Sequence, residues 1–278
     1  MELGRNLPKD AIVRTCFALQ PVPTVDWWNL ERVTIDMLPD LALLEIFHFY
    51  VDDEQIEAWH TLVHMCRNWR IIIFGSPHRL GLRLLCSTRT PVTEMLDVWP
   101  PLPIVIMGED DEKWGVDNIL AALEHTDRIC ELELFLIVSS QMERVLAAMQ
   151  HPFPALARLE LEPSFDETTP VVVPASFLGG SAPSLHELCL NYISFPGLPK
   201  LLLSATHLVY LNLWGIPQSG YISPEIMVTS LSVLTRLERL DIEVTSPPSR
   251  PDRKIRRPPT RTLLPVLNKL WFKGASEY

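Results

Sequence analysis

The sequence lacks the features that define several large classes of protein. Its five cysteines are odd in number and form no C-x-x-C pair, so they indicate neither a disulfide framework nor a structural zinc site. We expect them to be reduced and mostly buried: Cys16, Cys66, Cys86, Cys130 and Cys189. No apolar run is long enough to span a bilayer, and Arg14 and Thr15 interrupt the only apolar stretch near the N-terminus. A cytoplasmic or nuclear location, or both, is therefore expected.

Basic charge is also scarce, because the formal net charge is −10 at pH 7. A general nucleic-acid binder needs a basic face to neutralise phosphates, so nucleic acid is not an expected partner. The chain has no G-x-G-x-x-G, no G-x-x-x-x-G-K-[ST] and no G-x-S-x-G motif, and no nucleophile, base and orienting group stand together. We therefore predict neither catalysis nor a cofactor.

Hydrophobic residues make up 47% of the 278 residues, which is enough to build a sizeable core. The stretch MLPDLALLEIFHFYV, residues 37–51, predicts a helix that Pro39 opens. Only Glu45, His48 and Asp52 form a polar stripe on it. A helix that is apolar nearly all round needs a second apolar surface to cover it.

Residues 54–69 predict a second helix, with Trp59, Leu62 and Trp69 on its apolar face. A short third helix follows and ends at Gly75-Ser76-Pro77. Three short helices offer little core to offset the entropy of ordering them, so they need a partner surface.

These helices resemble the F-box over about residues 36–78. The resemblance is carried by Leu38-Pro39, by Leu44 with Ile46-Phe47, and by the MCRNW run that ends at Trp69, although Met65 replaces the usual valine. It implies docking of the first helix on the Skp-type adaptor of a cullin–RING ubiquitin ligase. The predicted adaptor contact is Leu38, Pro39, Leu44, Ile46, Phe47 and Trp69, the last bracing the bundle. The alternative is a helical cap on a repeat array.

An L-x-x-L-x-L pattern recurs from residue 78 onward at steps of 22 to 30 residues, which are leucine-rich-repeat lengths. Its fourth positions are Leu82, Ile104, Leu132, Leu159, Leu188, Leu211, Leu240 and Leu270. Helix-like stretches lie between the copies, so each unit is predicted to be a strand followed by a helix, and the units share one elongated core.

The whole chain resembles fungal F-box proteins with degenerate leucine-rich repeats. The predicted fold is α/β: an N-terminal three-helix F-box, then an irregular leucine-rich-repeat solenoid with a curved parallel sheet. The predicted domains are an arm at 1–33, the F-box at 34–78 and the solenoid at 79–278, which contains a basic, proline-rich loop at 246–262. The chain stops directly after a repeat strand, so a capping unit is expected to be missing.

Three other motifs favour ordinary surface roles. His60 and His64 have the spacing of a zinc-binding helix, but Thr61 stands where a metalloprotease needs its glutamate, which favours solvated histidines. The acidic run at 108–112 lacks calcium-loop spacing and indicates a solvated loop. The segment 247–261 carries six basic residues and is an exposed loop or, alternatively, a nuclear-import or polyanion-binding segment.

Strand alternation assigns a row of residues to the outer, concave face of the sheet. These are Glu131, Glu133, Phe135, Arg158, Glu160, Glu162, Glu187, Cys189, Asn191, Tyr210, Asn212, Trp214, Arg239, Asp241, Glu243, Lys269, Trp271 and Lys273. Exposed aromatic and arginine side chains anchor many interfaces, so the candidate client site is Tyr210, Trp214, Arg239 and Trp271. Alternatively, the C-terminal arm or the basic loop covers these rings.

The resemblance implies a substrate-recognition subunit of an SCF-type ubiquitin ligase that binds a Skp-type adaptor and an unidentified client protein. A second hypothesis is a repeat-protein scaffold with no role in ubiquitin transfer.

Overall fold

The computed structural model describes residues 35–51, 56–87, 91–109, 116–164, 170–244 and 261–274. The chain divides into two compact units, residues 1–43 and residues 44–278. The predicted arm at 1–33 and nearly all of the basic loop at 246–262 lie outside the described residues.

The described part of the first unit is a short 3₁₀ turn and the start of a helix. The turn spans Ile35–Met37. The carbonyl of Pro39 accepts hydrogen bonds from the N–H groups of Ala42 at 2.8 Å and Leu43 at 3.1 Å, and helix α1 spans Asp40–Tyr50. The prediction that proline opens this helix is confirmed to within one residue.

The second unit holds the remaining helices. They are α2 (Ala58–Met65), α3 (Arg67–Gly75), α4 (Val92–Val98), α5 (Asp117–Leu123), α6 (Ser139–Ala148), α7 (Leu198–Leu202) and α8 (Pro224–Leu231). The single helix predicted over 54–69 is wrong, because Cys66 has extended backbone angles and separates α2 from α3. Its Sγ accepts a hydrogen bond from the N–H of Trp69 at 3.5 Å and so caps the start of α3.

The strands of the second unit are predominantly assembled into one parallel sheet. They are β1 (Leu84–Ser87), β2 (Ile104–Glu109), β3 (Ile129–Ile137), β4 (Arg158–Pro163), β5 (Val171–Val172), β6 (Glu187–Asn191), β7 (Ile193–Ser194), β8 (Tyr210–Ile216), β9 (Arg239–Val244) and β10 (Lys269–Lys273). Eight strands lie side by side in chain order, β1-β2-β3-β4-β6-β8-β9-β10, while β5 pairs with β7 in a separate parallel ribbon. The chain is therefore a mixed α/β protein with an eight-stranded parallel sheet.

The last six repeat copies align in the sheet as their spacing predicts. The fourth-position residues are direct neighbours from β3 to β10: Leu132, Leu159, Leu188, Leu211, Leu240 and Leu270. In the first two copies, residues 79–84 and 101–106, the predicted frame is wrong, because Cys86 and Ile106, not Leu82 and Ile104, are in register with Leu132. Leu82 precedes β1, which begins at Leu84, so this leucine is buried outside the sheet.

Helices α5 to α8 cover one face of the sheet. Ile119, Met142, Leu201 and Met227 each expose 4% or less and belong to the same core cluster as the strand leucines. We call the opposite face, which carries the row of eighteen outward residues from Glu131 to Lys273, the open face. Along β4 the burial alternates strictly between the two faces, as predicted.

The last strand departs from the expected burial. Leu270 and Phe272 occupy inward positions, yet they expose 63% and 39% of their surfaces. Within the described sheet β10 has a neighbour on one side only, so its leucine is not enclosed as Leu188, at 0%, is in the middle.

Candidate functional site

Three of the six predicted adaptor residues are buried in the second unit. Leu44, Phe47 and Trp69 expose 6%, 0% and 9% of their surfaces. The rings of Phe47 and Trp69 pack against each other with centroids 4.7 Å apart. The prediction that Leu44 and Phe47 lie in the adaptor contact is corrected, because both side chains are buried in the internal core, where Phe47 packs against Trp69.

The other three predicted residues lie at the surface. Leu38, 37% exposed, and Pro39 belong to the first unit, and Ile46, 45% exposed, belongs to the second. Phe49 and Tyr50 were not included in the predicted contact, although they are 84% and 49% exposed. They follow Ile46 by three and four residues, and residues so spaced share one side of a helix, so this spacing could have added them to the predicted contact.

The histidine pair packs against a tryptophan that sequence analysis did not single out. Trp99 stacks on His60 with ring centroids 5.0 Å apart and meets His64 edge-on at 5.9 Å. The Nε2 atom of His60 is buried without a hydrogen-bond partner. Burial lowers the pKa of His60, with a smaller contribution in the same direction from His64 and an opposing one from Glu57. His60 is therefore partly buried and not solvated as predicted.

The first half of the open face is a network of glutamates around one arginine. The guanidinium of Arg158 lies 2.8 Å from Glu133, 3.4 Å from Glu160 and 3.5 Å from Glu187. Burial raises the pKa of Glu133, and Arg158 opposes that shift. At the edge of the network Arg83 pairs with Glu131 at 2.5 Å. This half of the face is acidic and already organised.

The second half of the open face brings the four predicted client-site residues together in two pairs. Arg239 places its guanidinium carbon 4.5 Å from the centre of the Tyr210 ring, a cation–π contact. The Nε of Arg239 lies 2.6 Å from Oδ2 of Asp241, to which the hydroxyl of Tyr210 donates at 3.2 Å. Burial is the main reason that the pKa of Tyr210 is raised to about 12.

Trp214 and Trp271 form the other pair. Their rings are stacked, with centroids 4.7 Å apart and an angle of 10° between the planes. Trp214 is in β8 and Trp271 in β10, so the rings meet above β9, which lies between those strands. The alternative coverings, the C-terminal arm and the basic loop, fall largely outside the described residues, and Trp214 retains 36% exposure.

Residues that sequence analysis missed position Trp214. Its indole Nε1 donates to the hydroxyl of Tyr192 at 3.2 Å, and the N–H of Tyr192 donates to the carbonyl of Trp214 at 2.7 Å. The register between β8 and β9 shifts between Leu213 and Ile216, and Gly215 within this stretch has a φ of +65°. This bulge changes the direction of β8 directly after Trp214.

The other motifs show no chemical site among the described residues. Gly108 and Glu109 end β2, while the remainder of the acidic run at 108–112 lies outside them. In that part of the chain no group of three or more potential metal ligands is found, and no helix has the length and apolar character needed to cross a membrane. Burial raises the pKa of Cys86 and Cys189 to about 12, whereas Cys66 is exposed; Cys16 lies outside the described residues.

The fold and the open face therefore define a parallel α/β protein whose distinguishing surfaces are apolar, aromatic and charged. No family model, curated protein or solved structure matches the chain.

Proposed function

We propose that this chain is the substrate-recognition subunit of an SCF-type ubiquitin ligase, with helices α1 to α3 acting as an F-box and the repeats holding a client. The F-box would dock on a Skp-type adaptor. The chain would then perform no chemistry itself. It would raise the local concentration of the client near a ubiquitin-charged enzyme, which accelerates transfer without any new catalytic group.

One observation carries the proposal: α1 has apolar residues on two sides, and only one side is buried. In the second unit Phe47 is fully buried, whereas Ile46, Phe49 and Tyr50 are 45% to 84% exposed. A row of large apolar side chains on one side of a helix is the pattern with which a helix binds an apolar groove.

The repeat architecture supports the second half of the proposal. Six strands in chain order place equivalent leucines in one row, and helices α5 to α8 pack on one face of the sheet. Such stacking is typical of leucine-rich-repeat solenoids, which use the sheet face opposite the helices for binding.

The test is capture of a Skp-type adaptor by the co-expressed full chain. We expect Ile46→Ala with Phe49→Ala to reduce the captured adaptor at least about tenfold, because exposed interface anchors each contribute more than about 1 kcal/mol. Leu38→Ala with Pro39→Ala tests the two exposed residues of the first unit in the same assay.

The matched control is Leu203→Ala with Ile226→Ala. Leu203 directly follows α7 and Ile226 lies in α8, and each of these apolar side chains is 50% exposed. It should leave capture unchanged. Full adaptor capture by a folded Ile46/Phe49 variant would contradict the proposed contact.

The second candidate function, a binding scaffold without a role in ubiquitin transfer, is favoured by the organised aromatic and charged cluster on the open face, which involves no residue of α1 to α3. Affinity purification with and without a proteasome inhibitor separates the two. Adaptor together with stabilised clients supports the ligase subunit, and clients without adaptor support the scaffold.

A further inference from the structure

Two acidic side chains of the open face are nearly enclosed, and they belong to β9, the strand between those that carry the stacked indoles. Asp241 and Glu243 are outward residues of β9, and they expose only 5% and 7% of their surfaces. Trp271 is the direct cross-strand neighbour of Asp241. Asp241 and Glu243 are the charged side chains of the open face that are buried, and the stacked pair Trp214–Trp271 joins the two strands that flank them.

Each of these carboxylates has one engaged oxygen and one that is not engaged. Oδ2 of Asp241 contacts Arg239 and Tyr210, and Oε1 of Glu243 lies 2.7 Å from Nζ of Lys273. Oδ1 of Asp241 and Oε2 of Glu243 are buried without a hydrogen-bond partner, and so is Oδ1 of Asn212, the neighbour of Asp241 in β8. A buried acceptor without a donor loses its hydrogen bonds to water without replacing them, so three together call for a donor that the described residues do not supply.

We propose that this place, formed by Trp214, Trp271, Asn212, Asp241 and Glu243, is a socket for an arginine side chain of a partner protein. A guanidinium is planar, stacks on indole faces and carries five N–H donors in a fixed fork. It therefore matches both the aromatic walls and the three acceptor oxygens. An ammonium group offers three donors at a point and stacks less well, so the socket favours arginine over lysine.

The remainder of the open face fits a basic partner segment. Seven of its eighteen outward residues are acidic and four are basic. Glu131, Glu133, Glu160, Glu162 and Glu187 extend the negative charge across β3, β4 and β6. An extended segment with one arginine in the socket can lay further basic residues along these strands, and the attraction between opposite charges accelerates its association.

Entry to the socket involves two exchangeable groups. Trp214 is 36% exposed, and entry of a guanidinium requires its stacking on Trp271 and its hydrogen bond to Tyr192 to be exchanged for contacts with the incoming group. The side chain of Lys273 is 67% exposed while Glu243, its partner, is buried. The lysine is thus an internal counter-ion that an incoming guanidinium displaces at little cost.

This inference rests on the proposed function only in naming the client as the partner, because the socket is tested without an adaptor. The probe is a fluorescein-labelled twelve-residue peptide of Gly and Ser with four spaced arginines, and its binding to the full chain is measured by fluorescence anisotropy. Matched peptides carry lysine or glutamate at the same four positions. We expect the arginine peptide to bind at least about fivefold more tightly than the lysine peptide and to alter tryptophan fluorescence.

Variants assign the binding to the socket. Trp214→Ala and Glu243→Gln should each weaken arginine-peptide binding at least about tenfold. Glu225→Gln, which removes one negative charge from the exposed first turn of α8, should leave binding unchanged. Lys273→Gln should strengthen it, since a competing cation is removed. Circular dichroism checks that each variant is folded.

The other occupants give different results. Tighter binding of the glutamate peptide, weaker arginine binding by Lys273→Gln, or undiminished binding by folded Trp214→Ala and Glu243→Gln variants would each overturn the proposal. A last variant changes the six basic residues of the chain's own basic segment to Gln: Arg250, Arg253, Lys254, Arg256, Arg257 and Arg261. If the peptide binds only to this variant, the socket belongs to that segment, and the proposal is overturned. Adaptor capture is unaffected by these outcomes, so a failed socket and a failed ligase assignment remain distinguishable.

Discussion

Single side chains in this protein have environments that their neighbours in the sequence do not reveal. Trp99, immediately after α4, stacks on His60 in α2 and also meets Trp59 at 5.1 Å. Trp59 is fully buried, and its indole N–H donates to the carbonyl of Arg83 at 3.0 Å. An apparently polar-face histidine is thereby enclosed by aromatic rings, which changes its titration.

We predict that His60 makes stability sensitive to mild acid. Because burial lowers its pKa below the ordinary 6.5, the unfolded chain binds the proton more strongly. The stability gained by keeping this imidazole neutral is fully present above pH 6.5 and is lost as the pH falls through 6.5 towards the lower folded-state value. Urea unfolding at pH 7.5 and 5.5 should therefore show a smaller loss for His60→Gln than for the natural chain.

The control for that measurement is His151→Gln, which changes an exposed histidine. It should preserve the loss of stability seen in the natural chain. An unchanged loss in His60→Gln would show that protonation of His60 is not coupled to unfolding.

At the scale of the element, strand β8 shows how a backbone irregularity positions a candidate binding residue. Gly215 adopts a positive φ in the bulge that follows Trp214, a conformation that L side chains rarely adopt. A Cβ atom added at Gly215 would lie 2.5 Å from the Tyr192 ring. Tyr192 is the residue that receives the indole hydrogen bond of Trp214.

We predict that Gly215→Ala lowers the free energy of unfolding by about 2 kcal/mol, because it adds backbone strain and displaces the Tyr192 ring. It should also change tryptophan fluorescence, since Trp214 loses its hydrogen-bond partner. Gly75→Ala is the matched control, because a Cβ there meets no atom within 4 Å and its φ is not positive. Equal stability of the two variants in urea would contradict the strained bulge.

At the scale of the whole molecule, one core cluster runs from Cys86 in β1 to Val244 in β9. Equivalent leucines are therefore expected to contribute different amounts to the free energy of unfolding, depending on their place in the sheet. Leu188 in β6 has strands on both sides and is fully buried, whereas Leu270 in β10 is 63% exposed.

We predict that Leu188→Ala destabilises the protein by about 3 kcal/mol, the range for a buried leucine that leaves a cavity. Leu270→Ala, the same change at the equivalent repeat position, should cost less than about 1 kcal/mol because most of that side chain is already in water. Urea unfolding of both variants provides the comparison. A cost for Leu270→Ala as large as for Leu188→Ala would indicate that something outside the described residues encloses β10.

The sequence alone determined the row of equivalent leucines from β3 to β10 and the outward row that contains Tyr210, Trp214, Arg239 and Trp271, because the spacing of leucines reports local backbone geometry directly. It determined neither the frame of β1 and β2 nor the short strands β5 and β7. It did not determine which apolar residues of α1 are buried, since a helix that is apolar nearly all round has no face marked for the core. Only the tertiary structure paired Trp214 with Trp271 across β9 and buried Asp241 and Glu243 on that strand. Such contacts join residues far apart in the chain, and the packing that selects them leaves no periodic trace in the sequence.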